Sequence, residues 1–157
     1  MSNFSNKSIA REFSFKLIYK VLCSNENLLE LVLTKNPKAE YERFIEEFIN
    51  SCVEPDDEHP NNQLPSGSQS FALSLCEGVF TNKVTLEEEI GKRLHKRKVH
   101  QLEKIDYALL MLGAYEITSI EDTPRTVVID EMINLAKKFG SADSYSFING
   151  TLDSVGK

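Results

Sequence analysis

Residues Leu102–Ile117, LEKIDYALLMLGAYEI, form the most apolar stretch of the chain. Leu102, Ile105, Leu109 and Leu112 recur at the three- and four-residue steps that align side chains on one face of a helix. Leu110, Met111, Ala114 and Ile117 widen that face until little polar surface is left. A helix apolar on nearly every side belongs in the middle of a domain. It is too short for a membrane span and carries Asp106 and Glu116 near its ends. The stretch therefore predicts a hub helix against which other helices pack. Its polar members, Asp106, Tyr107, Tyr115 and Glu116, require a further explanation.

Other segments show the same helical period. Ser8 reads as an N-cap for a helix over 8–23, with Phe13, Leu17 and Val21 inward and Arg11, Lys16 and Lys20 on other faces. A short helical piece over 27–33 ends at Asn36-Pro37, and Glu40–Cys52 carries an apolar stripe from Tyr41 to Ile49. Residues 53–67, rich in proline and acids, predict an irregular surface loop in which His59 is solvated. Helix resumes over Ser70–Phe80, and Thr85-Leu86-Glu87-Glu88 reads as a capping box opening the next helix. Thr123 as N-cap with Pro124 at the first helical position starts another, which Gly140 stops. Ser141 then caps a last helix, within which Asn149-Gly150 is a turn signal that local rules would break. No segment alternates as a strand does, so the fold class is all-α, with about seven helices.

The 157 residues suffice for one domain or two small helical subdomains with a core that needs no staples. Cys23, Cys52 and Cys76 show no paired spacing and read as reduced, buried thiols, which points to the cytoplasm. The N-terminus lacks the pattern of a signal peptide. The net charge of −6 excludes a protein that coats nucleic acid by bulk attraction. Its distribution is uneven. Between Glu26 and Glu58 ten acids face three bases, whereas Met1–Cys23 holds Lys7, Arg11, Lys16 and Lys20 against Glu12 alone. Lys92–Lys104 holds six bases against Glu103. Such islands can bind RNA locally, because the field that matters acts within about 8–10 Å. Positive charge at a helix C-terminus also complements the helix dipole, so the Lys92–Lys98 run has a structural reading as well.

Phosphate-loop, dinucleotide, zinc-protease and nucleophile-elbow motifs are all absent. His95 and His100 lie in a basic stretch without acids or cysteine pairs, so no metal site, cofactor site or catalytic constellation is expected.

Three groups of residues carry more. They are Ala10-Arg11-Glu12-Phe13 with Leu17-Ile18-Tyr19, then Ile105-Asp106 through Leu112-Gly113-Ala114-Tyr115-Glu116, and last Val128–Glu131, Leu135-Ala136-Lys137-Lys138-Phe139-Gly140 and Ser144–Asp153. In this order and spacing the chain resembles the NusB family of bacterial transcription antitermination factors, most specifically in A-K-K-F-G and F-I-N-G-x-L-D. The resemblance implies a single RNA-binding domain built as two packed helical bundles, over about 8–66 and 67–157. It implies that the last helix passes through Asn149-Gly150, with Gly150 admitting a neighbouring helix and Asn149 bonded in the core. It implies no enzymatic activity, no cofactor and no membrane. The partners implied are single-stranded boxA-type RNA, the small-subunit ribosomal protein NusE and the RNA polymerase antitermination complex, acting in ribosomal RNA operons. Carried over by position, the RNA-binding residues are Lys7, Arg11 and Lys16, with Asp143 and Phe147 on a second surface, and the NusE-binding residues are Tyr19 and Asp106.

The sequence departs from the family in one respect. The start of the first helix has only Lys7 and Arg11 where an arginine cluster is usual, which predicts weak RNA affinity without a partner. The Lys92–Lys98 run is expected to be secondary. Two other readings stay open: a helical interaction scaffold with weak RNA affinity, favoured if a homodimer hides the RNA surface, and an RNA-recognition module like that of some RNA cytosine methyltransferases.

Overall fold

The structure, a computed structural model, describes residues 3–24, 27–52 and 66–157. Among these residues it is all helical, with α1 (Asn3–Cys23), α2 (Asn27–Thr34), α3 (Lys38–Cys52), α4 (Ser66–Thr81), α5 (Lys83–Gly91), a 3-10 turn (Val99–Gln101), α6 (Lys104–Ser119), α7 (Arg125–Phe139) and α8 (Ser144–Ser154). No helix among them is long and apolar enough to cross a membrane.

The chain divides into two units, Met1–Glu77 and Gly78–Lys157. The division falls inside α4, not ahead of it at 66/67, because the first turns of α4 belong to the N-terminal core. There Ser14 Oγ of α1 donates to the Ala72 carbonyl at 2.8 Å and Cys76 Sγ donates to the Ser14 carbonyl at 3.6 Å. Phe13 meets Phe48 of α3 edge to face, with centroids 5.2 Å apart. Leu17, Ile18, Ala72 and Leu75 are fully buried. Burial pushes the Cys76 thiol up to about 12, so it stays protonated. Cys23 is exposed, contrary to the expectation of three buried thiols, and the Cys52 side chain lies outside the described residues.

In the C-terminal unit α6 is the hub, packing against α5, α7 and α8. Ala108–Ala114 is buried without interruption. Each fully buried leucine there contributes about 1.5–3 kcal/mol relative to an exposed one. Gly113 makes the close packing workable: a methyl there would stand 2.7 Å from Leu152 Cδ1 of α8 and 3.1 Å from Met132 Cγ of α7. Two polar members of the hub also find a place. Tyr107 donates to Glu87 of α5, and Tyr115 lays its ring against Gly78. Asp106 and Glu116 are buried.

Several local readings are corrected. α1 starts at Asn3, so Ser8 is inside the helix and is not its cap. The loop expected over 53–67, with His59, lies outside the described residues except for Ser66 and Gly67, which open α4. Thr85 is likewise interior. α5 begins at Lys83 with Asn82 as N-cap, and the Asn82 carbonyl accepts from the Leu86 amide at 2.9 Å. Pro124, not Thr123, is the N-cap of α7. α8 has Asp143 as N-cap, while Ser141 Oγ lies 3.1 Å from Ser144 Oγ. Gly140 does end α7, in extended geometry and not the left-handed one; a methyl there would press on the Ala136 carbonyl and Ser144. The last helix runs unbroken through Asn149-Gly150, but for a different reason than close packing. Both residues are exposed, and a methyl on Gly150 would meet nothing within 4 Å.

Candidate nucleic-acid interface

In the N-terminal unit the expected cations differ in what they can offer. Lys7 is exposed, with Nζ 5.6 Å from the centroid of Phe71 on α4. Arg11, one turn on, is only 1% exposed and has its guanidinium carbon 5.9 Å from the same ring. The helical period had placed Arg11 on an outer face; the structure makes it part of the core. An arginine so deep anchors the helix and does not present its charge to a strand outside. Lys16 is half-buried and pairs with Glu12 at 3.2 Å, which spends part of its charge. Lys20, which the resemblance did not single out, is exposed. Tyr19 is 36% exposed, with its ring 6.2 Å from that of Phe15. The neighbouring Cys23 raises its phenol above the ordinary value.

The C-terminal unit brings a second set together. α5 stops at Gly91, so most of the basic run lies past the helix end in an irregular connection. Its two ends are tied down. Arg93 pairs with Glu89 at 2.6 Å and donates to the Lys157 carbonyl at 3.1 Å, and the Lys98 amide donates to Gln101 Oε1 at 2.8 Å. Between them Lys96 and Arg97 point to solvent. The guanidinium of Arg97 lies 4.7 Å from the ring centroid of Phe147 on α8, well within cation–π range. Phe147 is half-buried, neither plain core nor freely exposed. Asp143 sits one turn earlier, exposed at the start of α8, and makes no cap bond with its side chain. Arg93–Arg97 and the α8 residues from Ser146 to Ser154 enclose a groove of about 450 Å³. Sequence reasoning left the basic run unplaced, since nothing local links residue 97 to residue 147.

Asp106 is in the first turn of α6 and 5% exposed, and its Oδ1 is buried without a hydrogen bond. It is therefore not the surface acid that the helix dipole alone would account for. A buried acceptor left unsatisfied costs about 1–3 kcal/mol.

Lys7, Arg11, Lys16 and Tyr19 thus belong to the N-terminal unit, and Asp106, Asp143 and Phe147 to the C-terminal one. Within the C-terminal unit, Lys96, Arg97 and Phe147 supply solvent-facing cations and an aromatic face covered by a planar cation, which is chemistry suited to backbone and base contact with a single strand.

Comparison with known proteins extends this. The family model described as NusB family matches residues 8–157. The chain is 31% identical over 148 residues to the transcription antitermination protein NusB of Clostridium tetani, covering 94% of this chain and 95% of that one. It is 30% identical over 155 residues to the protein of the same name from Aromatoleum aromaticum, covering 99% and 90%. The solved structure of T. maritima NusB shares the fold, with a TM-score of 0.68 and 24% identity over 94% of this chain and 87% of that one. A family model spanning nearly the whole chain and relatives matched almost end to end lead to one conclusion: the chain belongs to the NusB family.

Proposed function

We propose that this protein is a non-enzymatic antitermination factor of the cytoplasm, a single RNA-binding domain that takes boxA-type single-stranded RNA together with NusE. In this reading it joins the RNA polymerase antitermination complex and supports transcription of ribosomal RNA operons. The observation that carries the proposal is membership in the NusB family over residues 8–157, with relatives named as transcription antitermination proteins. Lys7 and Lys16 hold phosphates, and Phe147 offers a face for an unstacked base beside Asp143. Arg11 supports the helix that presents them. Tyr19, through its exposed ring, and Asp106, in the first turn of α6, serve NusE.

One observation favours a second reading. With Arg11 buried and Lys16 paired, α1 offers less free charge than its sequence suggests, as an interaction scaffold with weak RNA affinity would. One titration separates the two. A boxA-type RNA and a scrambled control are titrated with the protein, alone and with its own organism's NusE, at two salt concentrations. Selective, salt-sensitive binding that NusE strengthens, and that Lys7→Ala with Lys16→Ala weakens at least about tenfold, is the expected result. Equal weak binding to both RNAs in the presence of NusE would refute the antitermination reading and leave the scaffold.

A further inference from the structure

The connection after α5 keeps cations that the fold does not use. Lys92 and Arg93 pair with Glu89, at 3.9 and 2.6 Å. Lys96, Arg97 and Lys98 are exposed, and among the described residues no carboxylate pairs with any of them. Three adjacent like charges repel one another, so a surface that holds them together is poised for an anion. The neighbouring wall is aromatic: Arg97 covers the face of Phe147 at 4.7 Å.

The floor is α8, and its composition there is not what packing demands. Gly150 lies inside the helix, where glycine costs about 1 kcal/mol relative to alanine. Gly78 and Gly113 have a steric reason to be glycine, but around Gly150 the space is open. It lines the groove of about 450 Å³ that Arg97 and Phe147 border. A glycine without an internal neighbour lets an external group lie close against the helix backbone. The volume is that of a small-ligand pocket.

From these features we infer that the groove between residues 93–97 and α8 is a subsite for one further nucleotide of single-stranded RNA, beyond the element bound at Asp143 and Phe147. The base stacks on the outer face of the Arg97 guanidinium, whose inner face lies on the Phe147 ring, and reaches toward the backbone at Gly150. Lys96 and Lys98 hold the flanking phosphates. The basic run is then part of the RNA surface and not secondary to it. This inference rests on the RNA-binding reading proposed above and deepens it.

The test uses the full chain with NusE and two RNAs: the boxA-type element alone, and the element extended by a few nucleotides on both sides. Fluorescence anisotropy gives the affinity for each, with the wild type and with Lys96→Ala/Arg97→Ala, both exposed positions that leave the core intact. The wild type is expected to prefer the extended RNA by about tenfold, the yield of one stacked base. The double variant is expected to bind the two RNAs alike and to show a shallower salt dependence. The amide resonance of Gly150 should shift with the extended RNA and not with the short one. A double variant that retains the preference, or a wild type that binds both RNAs alike, overturns the subsite while leaving the parent reading intact. Failure of the wild type to bind either RNA better than a scrambled strand sinks both. Competition by poly-glutamate as effective as that by the extended RNA would assign the groove to an acidic protein segment and overturn the inference.

Discussion

Gly78 lies where the end of α4 meets the ring of Tyr115 from α6, and an alanine methyl there would overlap Tyr115 at Cζ, Oη and Cε1. Gly78→Ala therefore sets two effects against each other. Alanine gains about 1 kcal/mol over glycine inside a helix. Overpacking a close contact costs about 1–3 kcal/mol, and a stiff ring struck at three atoms belongs at the upper end. The expected net effect is a loss of about 2 kcal/mol. Urea unfolding followed by far-UV circular dichroism measures it as a lower midpoint at unchanged slope. Two companion variants isolate the cause. Gly78→Ala with Tyr115→Ala should show a coupling energy of about 1–3 kcal/mol, because removing the ring removes the clash. Gly150→Ala, the same change in open space, should stabilise by about 0.5–1 kcal/mol. A Gly78→Ala protein as stable as the wild type, or an additive double variant, would refute the steric argument.

Two further predictions follow from contacts in the same unit. Arg125 Nη1 donates to the carbonyls of Leu152 at 3.1 Å and Val155 at 2.5 Å, closing the end of α8. Arg125→Ala should cost about 2 kcal/mol and raise amide exchange first over residues 152–157. Acidification should also weaken the fold. Partial burial pushes the Glu87 carboxyl up, but hydrogen bonds from Lys83 and Tyr107 outweigh it and hold the group below its ordinary value. The Gly156 amide, with help from Arg93, does the same for Glu89. Because the folded carboxyls protonate later than the unfolded ones, their contribution is complete above about pH 4.3 and is lost as pH falls through the folded values. Melting temperatures measured from neutral to acidic pH should show a steeper fall in the wild type than in Glu87→Gln.

The helical class and the burial of α6 were legible in the residues themselves. A sixteen-residue run with apolar side chains on nearly all faces has one way to leave water, and helical periodicity elsewhere left no room for strands. The order of motifs was enough to place the chain among NusB proteins. Helix starts were less legible. Ser8, Thr85, Thr123 and Ser141 are all good caps by composition, yet each helix begins elsewhere, because burying a single large apolar side chain, at about 1.5–3 kcal/mol, outweighs one cap bond worth about 1 kcal/mol.

What the tertiary structure alone decided concerns individual side chains. Arg11 lies on a helix with Lys7 and Lys16, and nothing in the local pattern separates the three; burial beside Phe71 removes one of them from solvent. The family resemblance implied a packing role for Gly150, but of the two glycines only Gly113 has Leu152 and Met132 against it. Arg97 and Phe147 are far apart in the chain, and their stacking exists because α5 and α8 both pack on α6. Periodicity records which residues prefer to leave water along one helix. It carries no information about which two surfaces, distant in sequence, the folded core brings face to face.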